Sequence, residues 1–340
     1  MNLEPAAYQE NKAYSRSLNG KKIPSLSIVV PCYNESEAFD ACVKELDSVI
    51  QALISDNCIR PESVIIFVDD GSKDNTWALI KQASIQNSRI HGVKLSRNRG
   101  HQLALMAGLS TVTTDICISI DADLQDDTSC IREMVEKYMQ GNEIVYGVRN
   151  DRSSDSFFKR STANAFYKFM TAMGVSQVAN HADYRLLSKR ALSSLLKYKE
   201  KNIYIRGMIP LIGFTSDKVY YSRSSRVAGE SKYPLKKMIA LAMEGVTSLS
   251  VTPLRIISAL GFITCIIAAI ASFYALFEKM RGSTIEGWTS VMISIFFLGG
   301  VQLLSLGVIG EYIGKIYIET KDRPKFFIEE MTYEDQNESA

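Results

Sequence analysis

Two apolar runs near the end of this chain, roughly Ile256 to Phe277 and Val291 to Ile313, constrain its fold more than any other feature. Each is about 20 residues long, enough to cross about 30 Å of hydrocarbon as a helix. Roughly 250 residues of mixed charged and apolar sequence precede them. The chain therefore reads as a water-soluble unit carried on a two-helix membrane hairpin. The connector, Glu278 to Trp288, is short and has Lys279 and Arg281 as its only basic residues. Arg255 stands before the first run, and Lys315, Lys321, Arg323 and Lys325 follow the second. This bias of positive charge predicts that both ends of the hairpin, the soluble unit and both termini are cytoplasmic. Trp288 and Tyr312 suit the interfacial belts of such a hairpin.

A formal net charge of +2 excludes a strongly basic nucleic-acid binder, and no basic stretch is interleaved with aromatics. Cys32, Cys42, Cys58, Cys117, Cys130 and Cys265 form no CxxC pair and no zinc-like cluster with the three histidines. A reducing setting fits this pattern. Asn2 to Lys22 is polar and lacks the apolar stretch of a signal peptide. It is expected to be a loosely ordered tail, as is the acidic stretch from Glu329 onward.

Between these ends the pattern alternates. Leu26–Val30, Ser63–Val68, Val93–Leu95, Ile116–Ile120 and Glu143–Tyr146 read as strands, being short and rich in β-branched residues. Glu37–Ile54, Asn75–Ile85, Gly100–Thr111 and Ile131–Met139 read as the helices between them. Such alternation implies an α/β fold with a mostly parallel sheet covered by helices on both faces. Ser161–Met173 and Ala191–Leu196 read as further helices. Leu235, Ile239, Ala242, Met243, Val246 and Leu249 recur at helical spacing beside Lys236 and Lys237, which suggests an amphipathic helix lying on the membrane surface. The predicted organisation is a tail (1–24), a soluble unit (25–234), an interfacial helix (235–252), the hairpin (253–315) and a C-terminal tail (316–340).

Ligands in such sheets bind beyond the carboxyl ends of the strands, and the polar motifs fall there. Asp121-Ala122-Asp123 sets two carboxylates at the end of the fourth strand, with Gln125 offering a neutral oxygen. Hard oxygens of this kind suit Mg²⁺ or Mn²⁺ shared with substrate phosphates. Asp69-Asp70-Gly71-Ser72 ends the second strand as a turn whose carboxylates can also accept hydrogen bonds from a base or sugar. Pro31-Cys32-Tyr33-Asn34-Glu35 ends the first, with Tyr33 as an apolar wall for a nucleoside. Gly229-Glu230-Ser231-Lys232-Tyr233 reads as a flexible, positively charged loop shortly before the hairpin. His101 and His181 read as structural or polar-wall residues.

These motifs, with Asp183-Tyr184-Arg185-Leu186 and Arg226-Val227-Ala228-Gly229-Glu230-Ser231-Lys232-Tyr233, occur in the order seen in family 2 glycosyltransferases. More narrowly, the chain resembles the polyprenyl-phosphate glycosyltransferases, the group of bactoprenol glucosyltransferase and dolichyl-phosphate mannose synthase. The resemblance covers roughly residues 25–328. Gly310-Glu311-Tyr312-Ile313-Gly314-Lys315 and Arg323-Pro324-Lys325 are most similar to the bacterial branch. Asp126-Asp127 departs from the prolines common there, a change expected to affect a loop and not the metal. The resemblance implies a GT-A fold, inversion at the sugar carbon, a nucleotide-sugar donor (UDP-glucose first), a polyprenyl-phosphate acceptor and Mg²⁺ or Mn²⁺. It also implies a multi-pass protein of the bacterial inner membrane, with homo-oligomers expected. Carried over, Asp121, Asp123 and Gln125 hold the metal and diphosphate. Pro31, Tyr33, Glu35, Asp70 and Arg97 bind the nucleotide sugar. Arg206, Arg226, Ser231 and Lys232 meet the acceptor phosphate. Asp183, with Asp123 and Arg206, is catalytic, and the family suggests Asp183 as the base.

Chemistry argues against that last role. A phosphate monoester has a second pKa near 6, so at pH 7 the acceptor is mostly deprotonated. A general base contributes least when the nucleophile has no proton to lose. Asp183 is then better placed to orient Arg185, Arg206 or a sugar hydroxyl. Rival readings are the same transfer with an aminoarabinose or mannose donor, a processive synthase and a non-catalytic membrane scaffold. Processive relatives carry a QxxRW motif and more spans, which this chain lacks.

Overall fold

The computed structural model describes residues 22–149, 181–201, 203–222, 250–281 and 287–333. These fall into two units, a sheet unit (22–149, 181–222 and 323–333) and a helical unit (250–322).

In the sheet unit, β1 (Leu26–Cys32), β2 (Val64–Asp69), β3 (Ile90–Leu95) and β4 (Ile116–Ser119) alternate with α1 (Phe39–Ser55), α2 (Thr76–Gln86) and α3 (His101–Ser110). Then come α4 (Cys130–Met139), β5 (Ile144–Arg149), β6 (His181–Ser188), α5 (Lys189–Leu196), α6 (Ile205–Leu211) and β7 (Ser216–Tyr221). A last strand, β8 (Ile328–Met331), lies beyond the helical unit in sequence. Among the described residues the strands form one eight-stranded sheet in the order β7-β5-β6-β4-β1-β2-β3-β8. β1 runs parallel to β2 and β4, β2 to β3, and β5 to β7. β6 is antiparallel to both its neighbours, and β8 is antiparallel to β3.

Both faces of the central strands are buried, which is why they read as continuous apolar runs. Side chains alternate across the sheet. Ile28, Val30, Ile65, Phe67, Ile116 and Ile118 join one core with α1 and α4. Val29, Ile66, Val68 and Cys117 join the other with α3 and α5. β2 and β3 lie on one side of β1, and β4 lies on the other. The strand order reverses there, leaving a crevice beyond the carboxyl ends of β1 and β4.

Where the sequence reading fell short, local chemistry explains it. β3 starts at Ile90, ahead of the expected Val93. Gly92 looks like a break, yet a Cβ there would lie 2.6 Å from Ile80 Cγ2 under α2. The expected disorder from Glu329 onward is corrected by β8 for residues 329–333, and residues 334–340 lie outside the described residues. The acidic residues of β8 meet partners on β3 and α2: Lys94 Nζ donates to Glu329 at 3.0 Å, Trp77 Nε1 donates to Glu330 at 3.1 Å, and Lys81 pairs with Glu330. Gly92 N–H donates to Thr332 Oγ1 at 2.8 Å. The strand thus covers an edge that would otherwise expose unpaired backbone groups. The helices expected over 161–173 and 235–249 lie outside the described residues.

The helical unit consists of α7 (Thr252–Met280) and α8 (Trp288–Thr320). Both are long and apolar enough to cross a membrane, with mean hydropathies of 2.1 over Thr252–Ile270 and 1.4 over Phe297–Thr320. Phe262, Phe273 and Leu303 expose most of their apolar surface. Tyr312 O–H donates to the Ser250 carbonyl at 2.6 Å, joining α8 to the residues just before α7.

Candidate active site

The site begins with the reversed direction of β6. Antiparallel pairing sets Arg185 opposite Ser119, so Asp183 lies beside the chain as it leaves β4 toward Asp121. Ser119 O–H donates to the Asp183 carbonyl and closes this junction. Arg185 is 1% exposed and pairs with Asp183. From the first turn of α6, Arg206 forks onto the same carboxylate, Nε to Oδ1 at 3.2 Å and Nη2 to Oδ2 at 2.9 Å. Two parallel N–H···O bonds fix the guanidinium plane as well as its position.

His101 opens α3. Its Nε2 stands 3.4 Å from Asp183 Oδ2 and 3.5 Å from Asp121 Oδ1, so it spans the two carboxylates. The helix behind it is seated tightly: a Cβ at Gly108 would lie 2.5 Å from both Val29 and Val68 side chains. Gln102, the next residue, accepts from Ile205 N–H at 2.9 Å and so ties the start of α6 to the start of α3.

The charges follow from this geometry. Burial works against ionised Asp183, but Arg185, the His101 hydrogen bond and Arg206 together hold its carboxyl well below the usual range. Burial likewise pulls His101 down, yet the Asp183 bond and the Asp121 charge leave its pKa raised. Arg206 is also raised, because Asp183 outweighs its desolvation. Asp183 is therefore a saturated, weakly basic carboxylate.

The neighbouring loop has the opposite character. Gln125 N–H donates to Asp123 Oδ1 at 3.2 Å, and Leu124 between them adopts φ +49°. Few leucines take this left-handed backbone, and its strain is concentrated at the turn between two candidate ligands. Gln125 is 4% exposed. Asp121 Oδ1 and Gln125 Oε1 are buried and make no hydrogen bond. Burial raises Asp121, with His101 pulling the other way. Among the described residues, no three or more His, Cys, Asp or Glu stand together in a metal-holding group. The donors here are two carboxylates and an amide, a set that fits Mg²⁺ or Mn²⁺ completing its shell with water and phosphate.

At the end of β1, Tyr33 is 41% exposed beside buried Pro31. Glu35 N–H donates to Thr76 Oγ1 at 3.0 Å, and Asn34 N–H to Ser72 Oγ at 3.0 Å, so the β1 and β2 turns hold each other. Asp70 is 2% exposed, and its two oxygens accept from the N–H groups of Arg99 (2.6 Å) and Gly100 (2.8 Å). It braces the loop carrying Arg97, which is exposed. Gly71, at φ +66°, is required for this close approach, since a Cβ would lie 2.6 Å from Asn98 N. The structure thus gathers Asp183, Arg206, Asp121, Asp123 and Gln125 at one crevice, and Pro31, Tyr33, Glu35 and Asp70 along the turns that border it. Arg226, Ser231 and Lys232 lie outside the described residues. Ser188 caps α5 with its own side chain, accepting from Ala191 N–H at 3.0 Å. His101 was missed as a site residue. Its signal was the one used elsewhere: it follows the carboxyl end of a strand and opens a helix.

Residues 27–203 match the glycosyl transferase family 2 model, and residues 252–316 match the GtrB C-terminal hairpin. The chain is 51% identical over 315 residues to an uncharacterized glycosyltransferase, YkoT, of Bacillus subtilis, covering 92% of this chain and 94% of the relative. It is 37% identical over 309 residues to the bactoprenol glucosyl transferase of Shigella phage SfX, covering 89% and 98%.

Proposed function

This chain belongs to glycosyl transferase family 2, and from that premise we propose that it moves a hexose from a nucleotide sugar to undecaprenyl phosphate. UDP-glucose is the proposed donor, and the cytoplasmic face of the bacterial membrane the proposed location. An oxygen of the acceptor phosphate attacks the anomeric carbon from the face opposite the nucleotide. The bond to the nucleoside diphosphate breaks, and the configuration inverts.

The observation that carries this reading is the pairing of two unlike carboxylate sites bridged by His101. Asp121, Asp123 and Gln125 would hold Mg²⁺ or Mn²⁺, which supplies neutralisation of the departing diphosphate. Tyr33, Pro31 and Glu35 shape the nucleoside end, and Asp70 positions the loop that carries Arg97. The difficult step is bringing a phosphate anion up to a diphosphate, and fixed cations solve it by charge and placement. Arg206 fills that role, with Arg226, Ser231 and Lys232 as further acceptor contacts. Asp183, already paired, positions Arg206 and takes no proton.

Chain connectivity supports the topology. The sequence leaves the sheet unit before α7 and rejoins it at β8, so two crossings return it to the side it left. A cysteine placed at Ser283 should then label with an impermeant thiol reagent from outside, and one at Ser72 only after the membrane is opened.

The deciding assay is transfer of radiolabel from a panel of nucleotide sugars into lipid extract by the purified, reconstituted protein. UDP-glucose should label undecaprenyl phosphate fastest. Faster labelling from GDP-mannose or a UDP-aminoarabinose would replace the donor, and absence of label from every donor would sink the enzyme reading.

A further inference from the structure

Behind the Asp121–Gln125 loop lies a second polar cluster that the reaction as described does not use. Asp126, directly after Gln125, is 3% exposed. Its Oδ1 accepts from Tyr221 O–H at 2.6 Å and from Arg149 Nη2 at 3.2 Å, while Arg149 Nε donates to the Tyr221 oxygen at 3.3 Å. Arg149 and Tyr221 are the last residues of β5 and β7 and are register partners across that parallel pair. The clamp is therefore built on the sheet, not on a loop. Two further contacts fix the same stretch: Tyr184 O–H donates to the Asp127 carbonyl at 3.0 Å, and Thr128 O–H to Glu45 Oε1 at 2.6 Å.

The loop is thus held at residues 126–128 through Asp126 Oδ1, the Asp127 carbonyl and Thr128, while the buried oxygens Asp121 Oδ1, Gln125 Oε1 and Asp126 Oδ2 make no hydrogen bond. A buried carboxylate so close to two others adds unwanted negative charge, which Arg149 offsets. From sequence, the departure at Asp126-Asp127 is expected to affect a loop and not the metal, yet these contacts tie that loop to the stretch that carries Asp121, Asp123 and Gln125. Tyr221 is a dependable donor here, since burial and the Asp126 charge push its phenol pKa up. Leu124, at φ +49°, needs such an over-determined surrounding to stay in place.

We infer that Asp126, Tyr221 and Arg149 form a positioning clamp that sets the Asp121–Gln125 loop in its cation-binding geometry. None of the three is required to touch the reacting atoms. This rests on the metal reading given above.

The test measures Mn²⁺ binding to the full-length protein in detergent with UDP present, following free Mn²⁺ by electron paramagnetic resonance. Tyr221→Phe removes one neutral donor and should weaken Mn²⁺ binding by about five- to tenfold. Asp126→Asn should weaken it further. At saturating Mn²⁺ both should recover most of the wild-type rate, with the KM for acceptor unchanged. Ser188→Ala removes an equally buried hydroxyl at the far end of β6, bonded to Glu143, and should lower the melting temperature without moving Mn²⁺ affinity. Wild-type Mn²⁺ affinity in Tyr221→Phe and Asp126→Asn would overturn the clamp and leave the metal site standing. An equal shift in Ser188→Ala would overturn it too, by showing general loosening. A wild-type protein that binds no Mn²⁺ would remove the metal site and the clamp together.

Discussion

Two carboxylate sites lie on either side of His101, and they are built on opposite plans. At Asp183 both oxygens are committed to Arg185, Arg206 and His101, and the acid is held strongly ionised. At Asp121 and Gln125, buried oxygens carry no hydrogen bond, and burial pushes the Asp121 pKa up. The Asp183 carboxylate finds its partners within the protein, whereas Asp121 Oδ1 faces His101 at 3.5 Å without a hydrogen bond and can still take a cation. A finished site can orient, and an unfinished one can bind. This division assigns positioning to Asp183 and cation capture to Asp121, Asp123 and Gln125, though three of the four are acids within the same crevice.

The strongest way to break the comparison is to remove the unfinished site. Asp123→Ala should lower transfer on the order of 10³-fold, matching the several kcal/mol a bound cation supplies. Asp121→Ala should be nearly as severe, with the protein still folding and inserting. Full activity in EDTA at saturating donor would end the cation assignment.

Asp183→Asn tests the finished site and should cost less, about 10- to 100-fold, through a misplaced Arg206. Wild-type rate should rise with acceptor ionisation near pH 6, and the variant should keep that inflection. Loss of an ionisation seen in wild type, with binding unchanged, would restore Asp183 as a base. Stability gives an independent reading. The folded pKa of Asp183 is depressed, so its contribution is fully present above the unfolded value of about 4 and lost as pH falls through the folded one. The stability gap between wild type and Asp183→Asn should be widest near about pH 5–6, narrow in acid as Asp183 protonates, and also shrink as pH rises through the raised His101 pKa, because His101 loses its charge partner in the variant. That gap should be about 3–5 kcal/mol, because buried Arg185 loses its charge partner. Rates are therefore compared well below the melting temperature of the variant.

Arg206→Lys sharpens the same point. Lysine keeps the charge but cannot fork onto Asp183, so a loss of about tenfold is expected, carried by the acceptor KM. A wild-type KM would mean that charge alone suffices there.

The sequence revealed the unfinished site better than the finished one, for a physical reason. Asp121-Ala122-Asp123 is contiguous, and apolar β4 before it marks its place in the fold. The parallel strands were legible because burial on both faces makes them unbroken apolar runs. β6 was not, because His181-Ala182-Asp183-Tyr184-Arg185 carries charges that elsewhere signal a surface, and Arg185 is buried only because Asp183 lies beside it. β7 and β8 were hidden similarly, by Asp217, Glu329 and Glu330, whose partners are distant in sequence. His101 meets Asp183 across 82 residues of chain, a contact that spacing cannot show.

The smallest predicted effect asks whether the finished site rests on the sheet as a whole or on single contacts. Ser119 O–H donates to the backbone carbonyl of Asp183, inside the β4–β6 ladder and two residues before Asp121. Ser119→Ala removes that bond and leaves one buried carbonyl less well satisfied, worth about 1 kcal/mol of stability. The flanking ladder remains, and Arg185, Arg206 and His101 still converge on the carboxylate. The melting temperature should therefore fall by a few degrees while kcat and both KM values change less than about twofold. A tenfold loss of rate with little loss of stability would show that the Asp183 carboxylate is balanced on this hydroxyl. The contrast drawn between a rigid positioning site and an incomplete binding site would then have to be redrawn, with both sites adjustable.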